Sequence, residues 1–200
     1  MQVALPELES AATISFHREV SADGFEAFCA GNPSLRAELS AQGEIIIVPP
    51  SGGESSYQEV DVSRQLGNWA RADRKGKAFG SSAAFVLPSG AIFAPDAAWV
   101  SDLKLQTLTR PQRRRFLRLV PDFIVEVLSP SDRRPAAKLK MAEWIANGVA
   151  LAWLIDGDAK TVTIYRPDIP PQKLKGILTL AADGPMDGFT LDLTDIWAGL

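Results

Sequence analysis

The sequence is poor in the side chains that most often bind zinc or form disulfide bonds. Its 200 residues include one cysteine, Cys29, and one histidine, His17. A single cysteine excludes an intramolecular disulfide, and a single histidine excludes histidine-rich metal sites and argues against a Ser-His-Asp triad. Any bound metal would need oxygen ligands, which favours magnesium, manganese or calcium over zinc. We interpret Cys29 as a small buried apolar residue.

Long apolar runs and several common motifs are also absent. Without a run of about 18 apolar residues or a basic-then-apolar leader, the sequence predicts neither a membrane span nor a secretory signal. The motifs GxGxxG, GxxxxGK[ST], HExxH and GxSxG do not occur, which argues against dinucleotide-binding, P-loop, zinc-protease and hydrolase functions. With 46% hydrophobic and 22% charged residues, the composition predicts one globular cytoplasmic domain over residues 1–200, with 1–14 as a loose N-terminal arm.

Positive charge is concentrated in the middle of the chain, although the net charge is −3. Residues 61–145 contain 15 Lys and Arg against 8 Asp and Glu, and the two flanks together contain 6 and 16. The densest basic stretch, residues 110–118, includes Arg113 and Arg114. Such a stretch could attract a phosphate backbone, but more commonly it is the solvated face of a helix.

Periodicity predicts a fold in which helices alternate with groups of strands. Predicted helices cover residues 21–30 with Ser21 as N-cap, 33–39, 54–74 and 136–147, the last stopped by Gly148. Predicted strands cover residues 44–48, 78–87, 93–100, 122–128, 150–155, 161–165 and 189–193 with Leu178. This order predicts an α/β or α+β fold, with a central sheet of mostly antiparallel strands flanked by helices.

Two acids lie in segments that otherwise read as buried strands. Glu126 lies within Phe123–Leu128, and Asp96 lies among the apolar residues of 93–100. An ionised carboxylate in such a place must be hydrogen-bonded, ion-paired or metal-bound. Two acids on neighbouring strands form a candidate cation site, and pairing with nearby arginines is the simpler alternative.

The chain resembles the Uma-type restriction endonuclease family, a branch of the PD-(D/E)XK nuclease superfamily. The resemblance covers nearly the whole length and is carried by six segments: NPSLRAELSAQGEIIIVPPSGGE, SSAAFVLPSGAIFAPDAAWVS, PDFIVEVLSPSD, KMAEWIANGVALAWLID, VTIYRP and GFTLDLTDIWA. It implies a restriction-endonuclease-like central mixed sheet flanked by helices.

The resemblance also implies a catalytic set. The superfamily pattern of an Asp followed by acid-x-Lys is met by Asp96 and Glu126, but Leu128 stands where the lysine is expected. The family places this lysine on the following helix, which implies Lys140. Helical angles alone do not separate Lys140 from Lys138, and a structural lysine at a helix edge is the alternative interpretation.

The implied metal site uses oxygen donors from the same segments. Asp96, Glu126 and the carbonyl of Val127 would hold Mg²⁺, or Mn²⁺, and Glu54 is a further candidate ligand. Glu54 has a simpler explanation, because an acid in a first helical turn is favoured by the helix dipole. We expect five basic residues to contact nucleic acid: Lys138, Arg133, Arg134, Arg113 and Arg114.

Three functions therefore remain open. The first is a magnesium-dependent endonuclease that cleaves DNA, expected to be a homodimer so that two sites cut two strands. The second is a catalytically inactive module with the nuclease fold that binds nucleic acid or protein. The third is a structural subunit, which the basic central region disfavours.

Overall fold

A computed structural model describes residues 12–14, 20–130 and 132–200 of the chain. The helices in these ranges are α1 (Ala22–Gly31), α2 (Gly53–Asp73), α3 (Asp102–Leu105), α4 (Arg134–Ala146) and α5 (Thr194–Ala198), with 3-10 turns at Gln112–Arg114 and Gly184–Met186. The strands are β1 (Ala12–Ile14), β2 (Arg36–Leu39), β3 (Ile45–Val48), β4 (Gly76–Gly80), β5 (Phe85–Val86), β6 (Ile92–Phe93), β7 (Ala97–Ser101), β8 (Phe123–Leu128), β9 (Leu151–Asp156), β10 (Thr161–Arg166), β11 (Ile169–Lys175), β12 (Thr179–Ala181) and β13 (Thr190–Asp192).

The main sheet has six strands in the order β11-β10-β9-β8-β7-β4. Its pairs are antiparallel except β8 with β9, which run parallel. A parallel pair needs a crossover connection, and α4 provides it. The predicted mixed sheet flanked by helices is therefore confirmed.

Both faces of the main sheet are covered. Helix α2, with α5 and the small β12–β13 pair, packs on one face, where Leu66, Phe123 and Trp153 are buried. Helix α4 and the segment after α3 pack on the other face, where Ile124, Met141 and Trp144 are buried.

A second sheet is formed by the N-terminal part of the chain, in the order β1-β3-β2-β6-β5. Helix α1 packs on it and encloses a separate core that includes Phe25, Leu39 and Ile45. The chain passes between the two sheets more than once, and residues 94–96, which join β6 to β7, form one of these connections.

Several predicted elements are confirmed with small shifts of their ends. Ser21 caps α1, because its Oγ accepts a hydrogen bond of 3.1 Å from the Gly24 amide. Gly148 follows α4 with φ of 101°, a left-handed conformation that glycine adopts without strain. The β9–β10 hairpin is also as predicted.

Other predicted elements are wrong. The helix expected over 33–39 is not formed, because Arg36–Leu39 are strand β2 and pair with β3. The strand expected over 78–87 is interrupted between Gly80 and Phe85, and the basic stretch forms only the 3-10 turn at Gln112–Arg114. The strands expected to complete the main sheet, near Leu178 and 189–193, form their own pair, and the exposed strand β11 was not predicted.

Two further expectations concern the N-terminal part of the chain. Of the predicted arm, only Ala12–Ile14 is described, and it pairs with β3. Residues 1–11 and His17 lie outside the described residues. Cys29 is half-buried rather than fully buried, and burial raises the pKa of its thiol. No described helix combines the length and the apolar character that crossing a membrane would need.

Candidate active site

Strand β8 presents Glu126 on the face of the main sheet that α4 covers. Alternate residues of a strand point to opposite faces, and Val125 and Val127 belong to the α2 side while Ile124 belongs to the α4 side. Glu126 therefore points toward α4, where its Oε1 accepts a hydrogen bond of 3.1 Å from Trp144 Nε1. The lone acid of this apolar strand is thus bound by a donor from the crossover helix.

Asp96 meets Glu126 across the β7–β8 pairing. The register pairs Ala97 with Val125, so Asp96, one residue before β7, stands opposite Glu126. Asp96 is buried, with 7% of its surface exposed, and its Oδ2 accepts a hydrogen bond of 2.7 Å from the Val127 amide. Two carboxylates on neighbouring strands therefore face the same side of the sheet.

Lys140 reaches the acids from α4. Its Nζ lies 2.9 Å from Glu126 Oε1 and 2.8 Å from Glu38 Oε1. It also lies 5.6 Å from the centroid of the Phe93 ring, within cation–π range. The structure thus brings Asp96, Glu126 and Lys140 together on one face, although the lysine comes from a different element than the acids.

Strand β2 of the small sheet forms another wall of the site. Arg36 and Glu38 are two residues apart, so their side chains project to the same face of the strand. Arg36 Nη2 lies 3.4 Å from Asp96 Oδ1, and Glu38 is 7% exposed and contacts Lys140. Each of these β2 side chains therefore pairs with a site residue of opposite charge.

The site contains more acidic than basic side chains, and these side chains are poorly solvated. Burial, with a smaller contribution from the charge of Glu59, raises the pKa of Asp96 to about 6. Burial, aided by the charge of Asp96 and opposed by that of Lys140, raises the pKa of Glu126 to about 7. Burial alone would lower the pKa of Lys140, but Glu126 and Glu38 outweigh burial and raise it. The lysine therefore stays charged.

The donors around the two acids fit a small divalent cation. Val127 donates its amide toward β7, and in a strand the carbonyl of the same residue points to the same side. The β7–β8 register ends at the pair of Ala97 with Val125, so no residue of β7 lies opposite the Val127 carbonyl. Two crowded carboxylates and this carbonyl are hard oxygen donors of the kind Mg²⁺ and Mn²⁺ prefer. The described residues contain no cluster of three or more His, Cys, Asp or Glu side chains arranged around a metal position.

Glu54, the further candidate ligand, lies elsewhere. It is in the first turn of α2, and its Oε2 accepts a hydrogen bond of 3.1 Å from the Leu200 amide at the C-terminus. Another acid of α2, Glu59, acts on the site electrostatically: burial raises its pKa, and its charge contributes to the raised pKa of Asp96.

The predicted nucleic-acid contacts differ in their surroundings. Lys138 and Arg133 are exposed at the start of α4. Arg134 forms an ion pair with Asp156, with Nε 2.9 Å from Oδ2. Arg113 and Arg114 are exposed in the 3-10 turn, and Arg113 Nε donates a hydrogen bond to the Leu108 carbonyl.

Sequence reasoning missed Arg36, Glu38 and Glu59 as site residues. The first two were hidden because residues 33–39 were assigned to a helix, in which Arg36 and Glu38 do not share a face. Ser55, Glu59 and Ser63 recur every fourth residue and so share one face of α2, but only the structure shows that this face meets the site, where the Ser63 hydroxyl donates to the Asp96 carbonyl.

The fold is similar to that of a solved nuclease-like protein. A crystal structure from Anabaena variabilis, described as a putative nuclease belonging to DUF820, superimposes with a TM-score of 0.69 and 20% sequence identity. The match covers 81% of this chain and 89% of the other. At this identity the likeness shows the fold alone. No curated protein matched the sequence.

The family follows from the sequence match. Residues 22–194 match the Uma2 family, whose description is "Putative restriction endonuclease". This match spans most of the chain, so the protein belongs to the Uma2 family, and the resemblance seen in the sequence is confirmed.

Proposed function

We propose that this protein is a divalent-metal-dependent endonuclease that hydrolyses phosphodiester bonds in DNA. The observation that carries the proposal is the approach of the Lys140 ammonium, from α4, to Glu126 on the face that also holds Asp96. Family membership supports a nuclease, and the two acids and the lysine supply the residue types that this chemistry needs.

Each site residue has a distinct part in the proposed reaction. Asp96, Glu126 and the Val127 carbonyl would hold the cation, and Glu59, whose charge acts on Asp96, would add a further carboxylate. When bound, Mg²⁺ or Mn²⁺ would lower the pKa of a water molecule and polarise the phosphate. Lys140 stabilises negative charge that grows on the phosphoryl oxygens, because its own charge is held in a desolvated place.

A competing proposal is the interaction module without catalysis. It is favoured by the Arg36–Asp96 contact of 3.4 Å, because an arginine can satisfy the buried acid without a metal. Cleavage of DNA by the purified protein separates the two proposals.

The test is a cleavage assay on single-stranded and double-stranded DNA with Mg²⁺, Mn²⁺ or chelator. We expect cleavage only with the metals, and we expect Asp96→Asn and Glu126→Gln each to abolish it. Lys140→Ala should lower kcat by about a hundredfold or more, the usual effect of losing one preorganised charge. Lys138→Ala is the matched control on the same helix and should mainly weaken DNA binding.

Thermal melting of each variant distinguishes loss of chemistry from loss of fold. A wild-type protein that binds Mn²⁺ but cleaves no DNA would favour the interaction module. Equal losses of kcat for Lys138→Ala and Lys140→Ala would show that the catalytic lysine is wrongly assigned. Sedimentation of the protein with and without DNA tests the homodimer that a two-strand cut would need.

A further inference from the structure

The lysine of this site needs an anchor that a lysine on the acid strand would not need. A lysine at position 128 would be fixed beside Glu126 by the geometry of β8 itself. Lys140 instead starts from α4, and its four-carbon side chain must be ordered across the gap between helix and sheet. Ordering such a side chain costs more rotamer entropy than ordering most others. Contact with Glu126 alone would also leave one carboxylate serving both the lysine and the proposed cation.

Glu38 supplies a second anchor from the small sheet. Its Oε1 accepts two hydrogen bonds, one of 2.8 Å from Lys140 Nζ and one of 3.0 Å from the Ala94 amide. Ala94 is two residues before Asp96 in the connection between β6 and β7. One buried carboxylate therefore holds both the lysine and the segment that carries the first acid.

The rest of the small sheet supports the same arrangement. Phe93 of β6 places its ring 5.6 Å from Lys140 Nζ, and β6 pairs directly with β2 through Leu39 and Ile92. Glu38 is nearly fully buried, so its charge is poorly hydrated and depends on the lysine for compensation. The ion pair therefore constrains both Glu38 and Lys140.

We infer that Glu38 is a positioning residue that holds Lys140 in the site, an inference that rests on the proposed nuclease function. Glu38 acts through Lys140 and does not itself bind the cation. Arg36, on the same face of β2, pairs with Asp96, so the segment Arg36-Ala37-Glu38 orients one acid and the lysine together.

The first test measures the hold on Lys140 without any catalysis. Metal-free protein is treated with an amine-acetylating reagent, and mass spectrometry follows the rate at Lys140, with exposed Lys138 as internal control. Glu38→Gln keeps the shape of the side chain and an acceptor for the Ala94 amide, but it removes the charge. We expect acetylation of Lys140 to rise about tenfold, as for loss of one charged hydrogen bond, and that of Lys138 to stay unchanged.

Glu143→Gln is the matched control, because Glu143 is a half-buried acid on α4 whose Oε1 accepts a hydrogen bond from Asn147 Nδ2. This variant should leave both labelling rates as in the wild type. An unchanged rate at Lys140 in Glu38→Gln would overturn the inference. A parallel rise at Lys138 and Lys140 would overturn it too, since it would indicate general loosening of α4.

The second test asks whether Glu38 acts through the lysine. Glu38→Gln should lower kcat about tenfold, leave KM for DNA within about twofold, and leave the affinity for Mn²⁺ measured by calorimetry unchanged. In a Lys140→Ala background the same substitution should have no further effect on kcat, as expected for residues acting as a unit. If the losses of kcat multiply in the double variant, or if Glu38→Gln binds Mn²⁺ more weakly than the wild type, Glu38 acts as a ligand of the cation rather than through Lys140. If the wild type cleaves no DNA, the proposed function fails, and the labelling test still decides whether Glu38 holds Lys140.

Discussion

At the scale of single residues, the two acids of the site lower the stability of the metal-free fold. Asp96 and Glu126 are desolvated carboxyls whose pKa values are raised to about 6 and about 7. A folded state that raises the pKa of an acid favours its neutral form, so the ionised pair destabilises the metal-free fold. Conflict of this kind is typical of sites maintained for function.

Asp96 should therefore lower the melting temperature as the pH rises, which is the opposite of the usual effect of an acid. Its carboxyl titrates at about 6 when folded and near 3.8 when unfolded, so it stabilises the fold fully below the lower value. That contribution is lost as pH rises through about 6. We expect metal-free Asp96→Asn to melt several degrees above the wild type at pH 7.5 and close to it at pH 4. Scanning calorimetry across this range measures the difference.

Asp156→Asn is a control for which we expect the opposite change in melting temperature. Burial raises the pKa of Asp156, but the Arg134 hydrogen bond and the Ala159 amide outweigh burial and lower it. This variant should melt below the wild type at pH 7.5, with a smaller difference in acid. A pH-independent effect of Asp96→Asn would contradict the assignment of a raised pKa to this residue.

At the scale of elements, the sequence predicted what depends on local patterns. Helix α2, the β9–β10 hairpin and the stop at Gly148 follow from periodicity and backbone preference, and all three are present. Strand β2 was missed because Arg36-Ala37-Glu38-Leu39 carries a weak alternation that becomes decisive only when β3 pairs with it. The role of Glu38 depends on contacts 56 and 102 residues away, which no local pattern encodes.

Strand β4 offers a test of packing at the edge of the main sheet. A Cβ atom at Gly76 would lie 2.4 Å from both the Trp99 ring and the Val100 carbonyl oxygen. We expect Gly76→Ala to destabilise the fold by about 1–3 kcal/mol or more, because the backbone oxygen cannot easily move. Denaturant unfolding measures this free energy.

Gly80, at the other end of the same strand, is the matched control. No heavy atom lies within 4 Å of a Cβ built there, so Gly80→Ala should change the free energy of unfolding by less than about 1 kcal/mol. Similar losses for the two variants would show that the packing against Trp99 does not limit this strand.

At the scale of the whole molecule, the folded chain neutralises part of its basic region. Asp23 and Glu26 of α1 come from the acidic N-terminal flank, and they pair with Arg115 and Arg118. The excess of basic residues counted along the sequence therefore overstates the positive charge that a phosphate backbone would meet. Arg113 and Arg114 are exposed beside these pairs.

This difference predicts unequal contributions to DNA binding. The double variant Arg113→Ala/Arg114→Ala should weaken binding and reduce the slope of log affinity against log salt by up to about two, since each phosphate contact contributes about 0.9. Arg115→Ala/Arg118→Ala should change the slope by less than half as much. Fluorescence anisotropy at several salt concentrations measures both, and equal changes would rule out neutralisation by α1.

One of the connections between the two sheets is short and held at both of its ends. It consists of Ala94, Pro95 and Asp96, and three extended residues span roughly 10 Å at most. Its first residue is tied by its amide to Glu38 and its last by its carboxylate to the Val127 amide, with a stiff proline between them. Asp96 is thus the last residue of a short connection that is hydrogen-bonded at both ends. Separation of the two sheets at this point would therefore pull Asp96 away from the Val127 amide, so the position of the first acid depends on how the small sheet packs against the main sheet.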